Sequence, residues 1–372
     1  MKFPISVSDV SRQNSLAKLQ IFEAISNVVD SGGYILGEKV EEFELAFAEY
    51  CGVNSVVGVA NGTDAIELAL RALDIGEGDE VVTIANACMF ATIAILATGA
   101  KPVYADVNPR TGLIDVASVA KKTGPDTRAI IATHLFGKLA DIDGLKLLIG
   151  NKKIFLIEDA AQAHGARSKK GRAGALADIA CFSFYPTKNL GGMGDAGAVA
   201  THNGDIATRV KQLRQYGWGK RFECRLPGGR NSRMDELQAA ILLAKLPFLD
   251  DLNHERQTIA QHYISSLSDL PVILPTPGDD HVFHLFVIQL SARNGALAQL
   301  RHQGINADIH YPVPDYRQDA VTVSLGQLPE LAVTEKFVSR ILTLPCFPGM
   351  TEQEIDFTIE HVRNAVLASV KI

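Results

Sequence analysis

Ile154-Phe-Leu-Ile-Glu-Asp159 and, 24 residues on, Ser183-Phe-Tyr-Pro-Thr-Lys188-Asn-Leu-Gly191 set the frame for the whole chain. The first is an apolar run without polar alternation, closed by two carboxylates. Runs of this kind are strands buried on both faces of a sheet. They recur from about residue 54 to 200, at Ser55–Ala60, Glu80–Ile84, Pro102–Asp106, Ala129–Thr133 and Ile179–Phe184. Segments of helical character, such as Asp64–Leu73 and Met89–Leu96, lie between them. That alternation predicts an α/β sandwich around a mostly parallel sheet. Ligands of such sheets sit outside the carboxyl ends of the strands, which is where Asp159 falls.

Beyond residue 200 the rhythm changes. Residues 204–216 and 233–265 read as helices, the second kinked or broken at Pro247, which lacks an N–H for the helix ladder. His281–Leu290 and Ile305–His310 read as strands, Ala298–Gln303 and Thr351–Val370 as helices. The expected division is a large domain over 1–249 and a smaller α+β domain over 250–372.

The bulk numbers narrow the function classes. With 372 residues, 47% hydrophobic and 21% charged, the chain has the composition of a soluble globular protein with a large core. A net charge of -6 argues against general nucleic-acid binding, though it leaves room for a local basic patch. The five cysteines are widely spaced and form no CxxC, so neither a disulfide framework nor a zinc site is expected. No signal-peptide pattern and no apolar run of about 18 residues is present, which points to a cytoplasmic protein without a membrane partner.

Lys188 follows aromatic and proline residues and precedes a glycine-rich loop, Gly191–Gly197, which is not the setting of a surface lysine. A lysine among apolar walls becomes a nucleophile when its neutral amine is favoured. A carboxylate ending a neighbouring strand can pair with a pyridinium nitrogen and keep it protonated. Together Lys188 and Asp159 describe a pyridoxal 5'-phosphate (PLP) site. Asp159, at a buried strand end, needs a cationic partner or must leave the core; the plainer alternative is a cap for the next helix. Asn61-Gly62-Thr63-Asp64-Ala65 follows a strand and opens a helix, where free N–H groups suit a phosphate. Simple capping by Thr63 or Asp64 is the alternative there. The Ser183 hydroxyl is either a second phosphate donor or a solvated strand-end serine, and Gln162 and His164 either line the same cleft or serve the structure. Between residues 209 and 233, eight cationic side chains face Glu223 alone, and Arg225–Arg233 lies in a Gly/Pro/Asn stretch suited to a pyrophosphate.

Taken in order, Ser31-Gly-Gly-Tyr34-Ile-Leu-Gly37, Val40-Glu-Glu-Phe-Glu44, Asn61–Ala65, Gly78-Asp-Glu-Val81 and His134-Leu-Phe-Gly137 form one series with Glu158-Asp-Ala-Ala-Gln162 and Pro186-Thr-Lys-Asn189. The series continues through Gly194-Asp-Ala-Gly197, Asn231-Ser-Arg-Met-Asp-Glu-Leu-Gln238 and His310-Tyr-Pro-Val-Pro314. Nearly end to end it resembles the DegT/DnrJ/EryC1/StrS family of PLP-dependent nucleotide-sugar aminotransferases. The resemblance implies the aspartate-aminotransferase-like α/β fold (PLP fold type I), with a mostly parallel seven-stranded sheet, a smaller C-terminal α+β domain and a homodimer with shared active sites. It makes Lys188 the catalytic lysine that forms the internal aldimine and shuttles the proton. It pairs Asp159 with the pyridine nitrogen and lays Gln162 on or beside the ring. Gly62, Thr63 and Ser183 would hold the phosphate, joined by Asn231 of the other subunit. Tyr34, Arg233, His310 and Tyr311 would meet the sugar nucleotide, and no metal is implied. Three positions depart from the family pattern. The aromatic that stacks on the ring falls at Cys88, unless Met89 or Phe90 takes its place through a shifted helix start. Ser232 replaces a tyrosine, and Tyr316 replaces a histidine.

The activity so implied is a two-stage exchange. L-Glutamate leaves its amino group on the cofactor as pyridoxamine 5'-phosphate and departs as 2-oxoglutarate; a nucleotide-linked keto sugar then takes the nitrogen. Tyr34-Ile-Leu-Gly37 is similar to members acting on 3-keto sugars, so a dTDP- or UDP-linked 3-keto sugar is expected. The product would be a 3-amino sugar for O-antigen, lipopolysaccharide, capsule or a glycosylated metabolite. A 4-keto-sugar aminotransferase is the first alternative. A PLP sugar dehydratase, an amino-acid aminotransferase and a regulator without turnover are the others; family dehydratases replace the lysine that stands here as Lys188.

Overall fold

The computed structural model describes residues 4–325 and 328–370. A seven-stranded sheet forms its centre: β1 (Ser55–Val59), β2 (Glu80–Thr83), β3 (Lys101–Tyr104), β4 (Thr127–Thr133), β5 (Phe155–Asp159), β6 (Ile179–Ser183) and β7 (Gly197–Thr201). Their order across the sheet is β1-β7-β6-β5-β4-β2-β3. Strands β2 to β6 run parallel, whereas β7 is antiparallel to both β6 and β1. The first six are the six apolar runs of the sequence. The seventh escaped that reading because Gly197-Ala-Val-Ala-Thr201 is built largely of small residues with weak strand preference and follows a glycine loop.

Continuous apolar runs bury both sheet faces because side chains alternate along a strand. On one face Val56, Ile130, Leu156 and Phe182 pack with Phe43 and Phe47 of the helix Glu38–Cys51. On the other, Val57, Val59, Ile131, Ile157 and Ile179 pack with Ala65, Leu68 and Ala69 of the helix Gly62–Ala72. Full burial of each Val, Leu or Ile contributes about 1.5–3 kcal/mol. The sheet is therefore a rigid floor, and its carboxyl edge is a stable place to mount chemistry.

The helical stretch expected over 233–265 is broken at Pro247 as the sequence predicts: Glu236–Lys245, a 3₁₀ turn Leu246–Phe248, then Leu249–Leu267. The C-terminal strands differ from the reading. Of 281–290 only Phe286–Gln289 is a strand, because Phe283 adopts a left-handed conformation (φ 45°) that ends the extension. Its antiparallel partner is Ile341–Leu344. Residues 305–310 contribute only single bridges, Ile5 to Ile305 and Asp308 to Thr343. Ile5 belongs to the core formed by Ile259, Leu300, Ile305 and Leu342. The N-terminal segment thus packs on the C-terminal unit before turning back toward the sheet. No helix among the described residues is long and apolar enough to cross a membrane.

Candidate active site

Alternation along β5 sends its two terminal carboxylates to opposite faces. Glu158 turns inward, where it accepts from the N–H groups of Gly174, Leu176 and Ala177 at 2.8–3.0 Å and contacts His134 Nε2 at 2.9 Å. His134 Nδ1 accepts from the Ala140 N–H (3.0 Å), so the ring proton sits on Nε2 and donates to Glu158. Asp159 faces a cavity instead. It accepts from the Ala161 N–H (3.2 Å) and Thr133 Oγ1 (3.3 Å) and makes no ion pair among the described residues. Burial pushes its carboxyl above the ordinary range, opposed by the Ala161 N–H and the nearby positive charge of Lys188. A buried carboxylate without an ion pair is costly, and this one faces an open cavity.

Lys188 lies in the loop after β6. It is 9% exposed, and burial lowers its pKa to about 8, with Asp159 acting in the other direction. Close to neutrality such an amine exchanges protons readily. The loop that carries it folds tightly: a Cβ on Gly191 would stand 2.4 Å from the Pro186 carbonyl oxygen, which explains the glycine there.

The helix start after β1 and the end of β6 come together at Gly62 and Ser183. Asn61, and neither Thr63 nor Asp64, caps the helix Gly62–Ala72, its side chain accepting from the Asp64 N–H at 2.8 Å. The N–H groups of Gly62 and Thr63 have no partner among the described residues and sit at the positive end of a well-formed helix. Gly62 lies so close to β6 that a Cβ would sit 2.6 Å from Ser183 Cβ. Gly62→Ala is expected to force the cradle apart and weaken cofactor binding by about tenfold or more. A PLP titration followed by absorbance measures this, and an unchanged dissociation constant would contradict the cradle.

One cavity of about 880 Å³ gathers Gly62, Thr63, Asp159, Gln162, Ser183, Lys188, His310 and Tyr311. Gln162 is locked by the Phe136 N–H to its Oε1 (2.7 Å) and by its own donation to Tyr311 Oη (3.2 Å). Cys88 is not among the lining residues. Cys88 and Met89 both take left-handed conformations (φ 63° and 67°), which delays the helix start to Phe90 and brings that ring to the cavity wall. The Phe90 ring meets Tyr311 edge to face, 6.3 Å between centroids. Asp315 pins the turn, accepting from the Met89 N–H (3.0 Å) and Thr92 Oγ1 (2.7 Å).

Three predicted residues lie apart from this cavity. Tyr34 is 49% exposed, Asn231 is exposed beside Gln215, and Arg233 is half-buried without an ion pair among the described residues. The unusual Ser232 is wholly buried and accepts from the Ala60 N–H (3.2 Å), holding the end of β1. Tyr316 is buried too, donating to Glu335 at 2.5 Å well outside the cavity lining. Much of the basic stretch is structural: Arg214 pairs with Glu44, Arg209 with Asp74 and Arg230 with Glu67. His164 is buried between Phe182 and Phe184 and does not line the cleft. Val7, Ser8, His284 and Asp308 do line it, brought there by long-range folding that leaves no local sequence signal.

The profile of the DegT/DnrJ/EryC1/StrS aminotransferase family matches residues 16–363. The chain belongs to that family. As a member of the DegT/DnrJ/EryC1/StrS family it is a PLP-dependent aminotransferase. It is 42% identical over 358 residues to the dTDP-3-amino-3,6-dideoxy-alpha-D-galactopyranose transaminase of Aneurinibacillus thermoaerophilus, covering 96% of this chain and 98% of that one. The fold superposes on the crystal structure of S. venezuelae DesV in complex with a ketimine intermediate, with a TM-score of 0.93 and 38% identity over 98% of both chains. It also matches NtdA of Bacillus subtilis with bound cofactor PMP, at TM-score 0.91 and 32% identity over 96% of this chain and 84% of that one. The cofactor fits the residues present. The unpaired Asp159 carboxylate, the free N–H groups of Gly62 and Thr63 and the amine of Lys188 offer partners to the ring nitrogen, phosphate and carbonyl of one PLP.

Proposed function

We propose that the protein moves the amino group of L-glutamate to the keto group of a nucleotide-linked sugar, with a dTDP- or UDP-linked 3-keto sugar as acceptor. The observation that carries this reading is the meeting of Lys188 and Asp159 in one cavity with a preformed anion cradle. The sugar preference is supported by the 3-amino sugar named for the 42% identical relative. Bound PLP supplies the electron sink for charge developing on the carbon that loses its proton. Asp159 keeps the ring nitrogen protonated, and Gly62, Thr63 and Ser183 hold the phosphate. Lys188 carries the proton between carbons. Phe90 would cover the ring face that the family pattern gives to position 88, and Gln162 would lie on or beside the ring. His310 and Tyr311 face the sugar.

The working form is a cytoplasmic homodimer in which Tyr34, Asn231 and Arg233 serve the partner's cavity. Two features support this: these residues lie outside their own cavity, and Leu19, Phe22, Val29 and Ile35 leave an apolar surface exposed at 46–80%. The product is a 3-amino sugar for surface polysaccharide such as O-antigen.

The test is the visible spectrum of the PLP-loaded protein before and after L-glutamate. Glutamate is expected to convert the lysine-dependent band to that of the amine form of the cofactor, and addition of a dTDP-3-keto sugar to restore it. A band indifferent to every amino donor would overturn the reading.

A further inference from the structure

The main chain of Lys188 is gripped from outside the sheet. Gln13, 2% exposed at the end of the short helix Val10–Gln13, donates from Nε2 to the Lys188 carbonyl at 2.7 Å and to the Asn189 carbonyl at 3.2 Å. Its Oε1 accepts from Arg256 Nη2 at 2.9 Å. A guanidinium has donors only, so the amide orientation of Gln13 is forced: oxygen toward Arg256, nitrogen toward the two carbonyls. Arg256 is 1% exposed on the helix Leu249–Leu267, and its Nη1 donates to the Cys346 carbonyl at 2.6 Å. No carboxylate pairs with Arg256 among the described residues. Burying a cation with only neutral acceptors costs stability that apolar packing at the same place would not. Neither side chain lines the cavity, yet Val7 and Ser8 of the segment that carries Gln13 do.

We propose that Gln13 and Arg256 are positioning residues for Lys188, a relay that ties its main chain to the N-terminal segment and the C-terminal unit. The relay rests on the reading of Lys188 as the cofactor-bearing lysine. Through it, the angle at which Nζ meets the cofactor is set by elements outside the sheet. Neighbouring contacts support the same loop: the Asn189 side chain bonds Asn253 (2.7 Å) and the Val282 carbonyl (3.0 Å), and Lys245 bonds the Gly191 carbonyl.

Gln13→Glu separates positioning from mere structure. The new carboxylate still accepts from Arg256, and supplies the missing counter-charge, but it opposes the Lys188 carbonyl where the amide had donated. The melting temperature should stay at or above wild type. The kcat should fall by about 10- to 100-fold, the scale of a small misplacement of a reacting group. The KM for L-glutamate should stay within about twofold, and the pH midpoint of the PLP-loaded visible band should move. Should Gln13→Glu not accumulate folded, Gln13→Met, which removes all three bonds at similar volume, carries the comparison of kcat and band midpoint. A variant with wild-type kcat and band midpoint overturns the relay and leaves the aminotransferase reading standing. A Lys188→Ala control that retains the wild-type band overturns that reading, and the relay with it.

Discussion

Lys188→Ala is expected to abolish amino transfer, with the half-reaction from L-glutamate slowed by at least about 10⁴-fold. Two losses combine: the covalent anchor of the cofactor, and a positioned acid–base group worth about 10²–10⁴ by itself. Stopped-flow absorbance with PLP and glutamate measures it, and a residual rate within tenfold of wild type would remove Lys188 from the chemistry. The same lysine should also reveal itself in stability. Its folded pKa of about 8 lies below the ordinary 10.5, so between these values the unfolded chain binds more protons and stability rises with pH. Below pH 8 the cofactor-free protein carries the full cost of the buried charge. Lys188→Met should therefore stabilise it at pH 7 by on the order of 1–3 kcal/mol and flatten the rise toward pH 10. Urea unfolding at pH 7 and 9.5 reads both effects.

Asp159→Asn should be nearly as damaging to turnover while leaving the fold sound. Removing one partner of a buried charge pair costs roughly 2–5 kcal/mol, which for a pair formed with the ring nitrogen corresponds to about a thousandfold in rate. In the cofactor-free protein the same substitution relieves a buried carboxylate that has no ion pair among the described residues, so its melting temperature should match or exceed wild type. A drop in both activity and melting temperature would make Asp159 a structural group instead.

The sequence was most legible where one local signal sufficed. Strands β1 to β6 announce themselves as apolar runs, and Lys188 in its loop and Asp159 at its strand end stand in surroundings that suit no surface lysine or ordinary core carboxylate. Strand β7 was hidden by its small residues. The helix start at Phe90 depends on two successive left-handed residues, Cys88 and Met89, neither of which is a type that favours that conformation. Ser232 and Tyr316, two of the departures from the family pattern, are both buried and hydrogen-bonded within the fold, to Ala60 and Glu335. Tyr34, Asn231 and Arg233 do not line the cavity, and nothing in their local sequence says so. Gln13 and Arg256 meet across 243 residues, a contact for which no spacing rule exists.

The position of β1 in the sheet has a consequence for synthesis. Its one neighbour is β7, so a strand complete at residue 59 waits for a partner that begins at residue 197. At about 5–20 residues per second the wait is roughly 7–28 s, during which Val56, Val57 and Val59 have no sheet edge to join. Asn61, Gly62 and Thr63 are carried on the end of that same strand, and Gly62 reaches Ser183 only once β1 is seated. The anion cradle is thus among the last parts of the large unit to form on the ribosome. A nascent chain that stops just short of β7 already holds Lys188 while Asn61, Gly62 and Thr63 are still unseated, and its unpaired valines are what a chaperone would find.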